Sequence, residues 1–474
     1  MLNINEKIIK QKANTWEVTR MKKGLKKLTA LLCGATLAVS MVGCGTQDAG
    51  TTSQTTAEQN NNTTQQTAES QTTDTGKTEF NVWCWSPNED FLQTGVDMYN
   101  DLGNDVSLNV TVMALEDVRT KIATIAGSGD YSQLPDILLM QDTSIPMLVK
   151  AYPDAFTDLN AQGINTADYD QAKIGWCTYD DKLYGVPFDS SVAVACYRTD
   201  YLQDAGYSID DMSDITWSKF KTIGEEVLAK TGHPLLSMPS DATLLTIMLN
   251  STGASYFDAD GKANLNQNEN LKKTVEEYRD LVNSGVIKVV TNWDEYMSSL
   301  NAGSSAGTIN GMWILNSIKD AEDQSEKWGI ANLPSVDGIQ GAGNYASSGG
   351  SSWMITSNCK DVDGAVKMLT TILGGELSDT FYQSILLDSN YIAGYLPTAG
   401  NEEIYNTPDE FFNGETIYAE LGQFATKIPK SNTGYAYDET LDAVATALTN
   451  ILNGADIQSE LDAAQSTVDF ITGK

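Results

Sequence analysis

The sequence predicts an α/β protein built as two lobes. Two observations carry that prediction. Strand-like and helix-like segments alternate from residue 79 onward, and the body from there to the end, about 395 residues, exceeds what one ordinary hydrophobic core holds. A third observation bounds it: after residue 44 no apolar run is long enough for a transmembrane helix.

The first elements can be read in order. "EFNVWCW" has the alternation and aromatic content of a strand, and "DFLQTGVDMYNDL" the apolar spacing of a helix. "VSLNVTVMA" is a second strand, "LEDVRTKIATIAGSG" a second helix, and "PDILLM" a short buried strand. "TSIPMLVKAY" reads as a helix with Pro146 near its start, where a missing N–H costs nothing. Alternation at this spacing argues a mostly parallel sheet with helices on both faces. In such sheets ligands lie beyond the carboxyl ends of the strands. Trp85 stands at such an end, and so do Gln141, Asp142 and Thr143 after "PDILLM". Trp83 lies deeper in its strand and reads as core.

The N-terminal region sets the location. "MKKGLKKLTALLCGATLAVSMVGCG" has a Lys-rich head, a short apolar run from Leu28 to Val42 and small residues at its end, which is a secretory signal. The start is expected at Met21, with residues 1–43 as the signal region. "MVGC" resembles a bacterial lipobox, which implies acylation of Cys44; two acyl chains suffice for stable anchoring. Residues 44–78 then form a polar tether, too poor in apolar residues to offset the entropy of ordering.

Charge and composition exclude several functions. Residues 1–43 hold 8 Lys/Arg and 2 Asp/Glu, so the rest carries 22 basic against 61 acidic residues, a net charge of −39. Such a surface repels nucleic acid and anionic headgroups. Cys84, Cys177, Cys196 and Cys359 match no zinc or redox spacing, and each stands in an apolar stretch, so buried free thiols are the default. "GSSAG" fits G-x-S-x-G, but the single His, His233, precedes it, so no triad order follows. "DADGKANLN" lacks the acidic positions of a calcium loop and reads as a hairpin turn, with Asn266 or Asn268 capping the next helix. No phosphate or dinucleotide loop appears. A pair of catalytic carboxylates stays open on sequence alone.

The middle of the chain carries a pattern. "DDKLYGVPFDSSVAVACYRTDYLQDAGY", "TWSKFKTIGEEVLAKTG", "SLNAGSSAGTINGMWILNSIKD", "WGIANLPSVDG", "GGSSWMITSNCKDVDGAVKMLTTIL" and "GYLPT" occur in that order. Together they resemble the bacterial extracellular solute-binding proteins of the maltose-binding type, over roughly residues 79–450. Cys177, Cys196 and Met312 depart mildly from that pattern.

The resemblance implies a two-lobed periplasmic-binding-protein-like fold with hinge crossings and a ligand cleft between the lobes. By matching positions, lobe 1 would hold residues 79–188 and 332–378, and lobe 2 residues 189–331 and 379–474. The crossings would fall near "PFDS", "ANLPS" and "LGGEL". It further implies a non-enzymatic, carbohydrate-binding subunit of an ABC importer, lipid-anchored at the extracellular face. An oligosaccharide would be its ligand and a membrane permease its partner. It would be a monomer without cofactor or metal.

Aromatic rings suit the C–H faces of a sugar, and carboxylates and amides its hydroxyl rim. Trp313 after "TING" lines the sugar cleft in the family. Trp353 follows a glycine pair that permits close approach of backbone and ligand. Trp85, Gln141, Asp142, Asp189, Asp241 and Tyr395 complete the candidate set. Asp241 reads equally as a helix cap, and Trp293, before a helix, reads either way. The alternatives are the same architecture binding an amine or a peptide, and a surface glycoside hydrolase with two catalytic carboxylates.

Overall fold

The computed structural model describes residues 77–473. The expected start at Met21, the signal region, Cys44 and the tether to residue 76 lie outside the described residues.

The first part follows the predicted alternation. Strand β1 (Thr78–Cys84) leads to helix α1 (Asn88–Asp101), β2 (Val106–Val112), α2 (Leu115–Ser128), β3 (Ile137–Gln141) and α3 (Ile145–Ala151). β1 pairs in parallel with both β2 and β3. β3 is apolar and buried from Ile137 to Met140, and only Gln141 emerges. α1 buries Phe91, Leu92, Val96 and Tyr99, an amphipathic stripe facing the sheet side. α2 ends on Gly129 at φ +74, the left-handed position that favours glycine. Pro146 occupies the first turn of α3.

The chain continues through α4 (Gln171–Cys177), β4 (Gly185–Pro187) and β5 (Asp189–Ser190) into β6 (Ala193–Arg198). Next come α5 (Trp217–Thr231), β7 (Leu236–Pro239), α6 (Thr243–Asn250), α7 (Glu269–Asn283), β8 (Ile287–Val290), α8 (Trp293–Asn301), β9 (Gly307–Gly311), α9 (Ile314–Lys319) and β10 (Trp328–Ala331). It then returns to β11 (Ser351–Ile355), α10 (Val362–Gly374), α11 (Ser378–Ser389) and β12 (Ile392–Ala393), and ends with α12 (Tyr437–Leu452) and α13 (Ile457–Thr472).

Two separate sheets define the lobes. The first has strand order β2-β1-β3-β11-β4, with β11 antiparallel to both neighbours. The second has order β9-β6-β10, antiparallel throughout, with β7 and β8 as a parallel pair nearby. Within the first sheet only β1, β2 and β3 are therefore parallel. β11 enters its sheet after the chain has come back from the second lobe, so it arrives in the opposite direction.

The segment after β4 meets the segment around β12. β5 follows β4 directly and pairs antiparallel with β12. Gly394 N–H donates to the Phe188 carbonyl at 2.8 Å, and the Tyr382 hydroxyl donates to the same oxygen at 2.6 Å. Phe381 and Tyr382 of α11 pack on Phe188, and a Cβ at Gly95 in α1 would lie 3.3 Å from the Phe381 ring. α11 thus packs against Phe188 and α1.

Local signals behave as their chemistry dictates. The Thr216 hydroxyl accepts from Lys219 N–H at the start of α5. In "DADGKANLN" the Asp258 carboxylate accepts from Asp260 and Lys262 N–H, closing a turn. Asn268, rather than Asn266, caps α7, accepting from Leu271 N–H at 3.0 Å. Cys84, Cys177, Cys196 and Cys359 are buried free thiols. Among the described residues, no helix is long and apolar enough to cross a membrane.

Candidate ligand site

Between the two sheets lies a cavity of about 420 Å³. It is lined by Gln141 and Thr143 at the end of β3, Trp176 of α4, Thr243, Thr246 and Asn250 of α6, Asn310 of β9, and Trp313. Ser347, Ser348 and Gly349 before β11, and Tyr437, Asp438 and Leu441 of α12, complete the lining.

The sequence explains why these side chains meet. Gln141 is the first residue past the buried run of β3, at a carboxyl strand end where α/β sheets bind ligands. Thr243, Thr246 and Asn250 share one helix face, while Leu244, Leu245, Ile247, Met248 and Leu249 are buried. β9, "GTING", is buried throughout, and Trp313 follows two residues beyond its end. A Cβ at Gly311 would collide with the Trp313 indole and the Ser348 carbonyl, so glycine is required there. Gly349 adopts φ +91 and lines the cavity with backbone.

Two tryptophans line the space, Trp176 of α4 and Trp313 after β9. Trp313 is 36% exposed. Trp176 meets Tyr437 edge-on, with ring centroids 5.0 Å apart, and Phe257 at 6.4 Å. Desolvation, with the Asp438 and Asp241 carboxylates nearby, pushes the Tyr437 phenol up to about 12, so it remains a hydroxyl at neutral pH. Asp438 is ion-paired at 2.5 Å with Arg119 of α2, which joins the two lobes beside the cavity.

Beneath the cavity is a second polar cluster of different character. Lys173 and Asp142 form an ion pair with side chains 2% and 1% exposed. Lys173 also donates to the Ser351 carbonyl at 3.0 Å, and Ser352 donates to Asp142 at 2.6 Å. Asp189 accepts from both the N–H and the hydroxyl of Ser351, each at 2.8 Å. Burial alone would lower the Lys173 ammonium, but Asp142 and Asp189 outweigh it and hold it up at about 12. Gly350, at φ +104, leaves room for this pair, since a Cβ there would reach Asp142 and Lys173.

The candidate residues therefore separate. Gln141 and Trp313 line the cavity. Asp142 and Asp189 do not, because their oxygens are committed to Lys173, Ser352 and Ser351. Trp353 is 1% exposed, the central residue of β11 between β3 and β4, and packs on Phe188 at 6.0 Å, so it is core. Trp85 is half-buried against the core outside the cavity wall, and its carbonyl accepts from the Asn88 backbone and side chain. The tryptophan that shares the cavity lining with Trp313 is Trp176, not Trp85. Asp241 is exposed and stands just before the N-cap residue Ala242 of α6, its carboxylate accepting from Thr243 N–H at 2.8 Å. Tyr395 lies tilted on Tyr169 at 5.3 Å, away from the cavity. The single histidine, His233, stacks on Tyr201 at 4.7 Å, also away from it.

Sequence reasoning missed Trp176, Tyr437, Asp438 and the α6 face. Trp176 sits in the last turn of the short helix "QAKIGWC", where an aromatic reads as core. For α6, polar residues at three- and four-residue spacing within "TLLTIMLN" were the available signal.

Comparison with known proteins agrees with this architecture. Residues 95–409 match the family model for bacterial extracellular solute-binding proteins. A lactose-binding protein of Rhizobium radiobacter is 33% identical over 390 residues, 82% of this chain and 91% of that protein. An arabinooligosaccharide-binding protein of Bacillus subtilis is 25% identical over 331 residues, 67% of this chain and 74% of its own length. The cyclic alpha-maltosyl-1,6-maltose binding protein from Arthrobacter globiformis shares the fold at a TM-score of 0.69 and 20% identity, covering 84% of this chain and 99% of that one. This chain belongs to the bacterial extracellular solute-binding proteins.

Proposed function

We propose that this protein is the lipid-anchored, extracellular binding subunit of an ABC importer and takes an oligosaccharide into the cavity between its lobes. One observation carries the reading. Two tryptophans, Trp176 of α4 and Trp313 after β9, line one cavity together with amides and hydroxyls. The rings suit the C–H faces of a sugar. Gln141, Asn250, Asn310, the threonines and the Tyr437 hydroxyl suit its rim. A volume of about 420 Å³ falls within the range of small-ligand sites. The sugar ligands in the names of the two sequence relatives support the same class.

The work is binding and hand-over to a membrane permease. A ligand touching both lobes favours the closed arrangement by its differential affinity for it. The one carboxylate in the wall, Asp438, is already paired with Arg119. That favours a neutral ligand over an amine, and binding over glycoside hydrolysis, which uses two carboxylates. Cys44 is the proposed site of acylation, with the polar residues between it and β1 as its tether.

Two experiments test the reading. Calorimetry of the full chain against lactose, arabino-oligosaccharides and malto-oligosaccharides should find at least one micromolar ligand, and silence across that panel contradicts it. Cys44→Ser should move the protein from the membrane fraction to the medium. Unchanged membrane retention would remove the anchor from the account.

A further inference from the structure

We propose that the ligand runs out of the cavity past Trp313 and stacks its next ring on Trp293, so that the site takes an oligosaccharide longer than its enclosed portion. This extends the sugar-binding reading and rests on it. Trp293 is 45% exposed and Trp313 36%, and their ring centroids lie 5.6 Å apart with the planes inclined by 39°. A single exposed apolar side chain needs no explanation, but two tryptophans in contact at the rim of a ligand cavity form a continuous aromatic surface. Trp313 lines the cavity and Trp293 stands outside it, so the surface leads from enclosed space to open solvent.

The outer ring is held firmly. It occupies the first turn of α8, whose start is fixed from both sides. Asn292 accepts from Glu295 N–H at 2.9 Å, and the Glu295 carboxylate accepts from the Thr291 N–H and hydroxyl at 2.9 and 2.8 Å. Trp293 also rests edge-on against the buried Tyr296 at 5.3 Å. The Tyr296 hydroxyl hydrogen-bonds Thr308 and accepts from the Asn310 amide at 3.3 Å. Asn310 lines the cavity, so one buried tyrosine supports both the outer ring and an inner polar group. A platform already ordered loses little freedom when it binds. The occupant that fits an exposed, rigid, uncharged aromatic face continuous with a sugar cleft is the next sugar of the same chain.

The test compares ligand length with the platform present and absent. Calorimetry on the full chain would use di-, tri- and tetrasaccharides from three ladders: galactosyl-extended lactose, arabino-oligosaccharides and malto-oligosaccharides. In the ladder that binds, affinity should rise about tenfold with length, the scale of one ring stacked on an aromatic platform. Trp293→Ala should remove that gain while the thermal midpoint holds, and Trp293→Phe, which keeps a flat ring, should restore part of it. Affinity independent of length in the wild type overturns the extension and leaves sugar binding intact, as does a gain that survives Trp293→Ala. No binding in any ladder brings down the sugar reading and the extension with it.

Discussion

The cavity wall and the cluster beneath it are both polar, and they begin one residue apart. Gln141 faces the cavity, while Asp142 turns to Lys173. The wall is made of uncharged amides and hydroxyls, most of them half-buried and Asn310 buried, beside aromatic rings. The floor is made of charges out of reach of water, each matched by a partner within the protein. The difference teaches how to tell a ligand group from a structural one. A buried charge must be compensated by its own fold, because an unpaired one costs several kcal/mol. What remains for a solute is the weaker, neutral set along the wall.

If that division is right, breaking the floor should cost stability and breaking the wall should cost affinity. The largest effect is expected for Lys173→Met. It leaves Asp142 buried without its cation and should remove about 3–5 kcal/mol of stability at pH 8. Burial already pushes the Asp142 carboxyl up to about 6, against the pull of Lys173. A carboxyl raised above its unfolded value of about 3.9 contributes stability below that value and loses it as pH rises through the folded value. Without Lys173 this contribution grows, so relative to wild type the variant should regain part of its loss on acidification from pH 8 to 5. Urea midpoints at the two pH values check it. A loss independent of pH would mean that Asp142 is not the group left stranded.

Next comes Trp353→Ala, expected to cost about 3–5 kcal/mol because the ring is wholly enclosed between Phe188 and its neighbouring strands. Any folded fraction should bind ligand with unchanged affinity. Weakened binding at full occupancy of the native state would return Trp353 to the site. The smallest effect concerns the bridge between the lobes. Arg119 and Asp438 are 23% and 45% exposed at their side chains, so the pair is worth about 0–1 kcal/mol. Arg119→Met should weaken ligand binding by no more than that, and the wild-type affinity should show a matching sensitivity to salt.

Much of the fold was legible because it rests on periodicity. β1 to α3 follow from the alternation of strand and helix patterns, and the antiparallel β11 shows its hand only once the return from the second lobe is known. The site was legible at strand ends and opaque elsewhere. Trp313 and Trp353 both follow glycine-containing segments, but Trp313 lies two residues past its strand and Trp353 in the middle of one. Gln141 and Asp142 shared one signal, the end of "PDILLM". Nothing local says that a lysine thirty-one residues later will claim the second of them. Trp176 and Tyr437 come from helices that meet only when the lobes pack, a juxtaposition that no single segment encodes.

The central claim is that the solute is gripped at the wall, with Trp313 stacking on it. The most direct measurement is the affinity of Trp313→Ala for the tightest-binding oligosaccharide, set beside its denaturation midpoint. Binding should weaken by about 1–3 kcal/mol, the range for a ring stacked on an aromatic platform, with little change in midpoint because the side chain is already exposed. Full affinity with a collapsed midpoint would contradict the account and make Trp313 another core tryptophan.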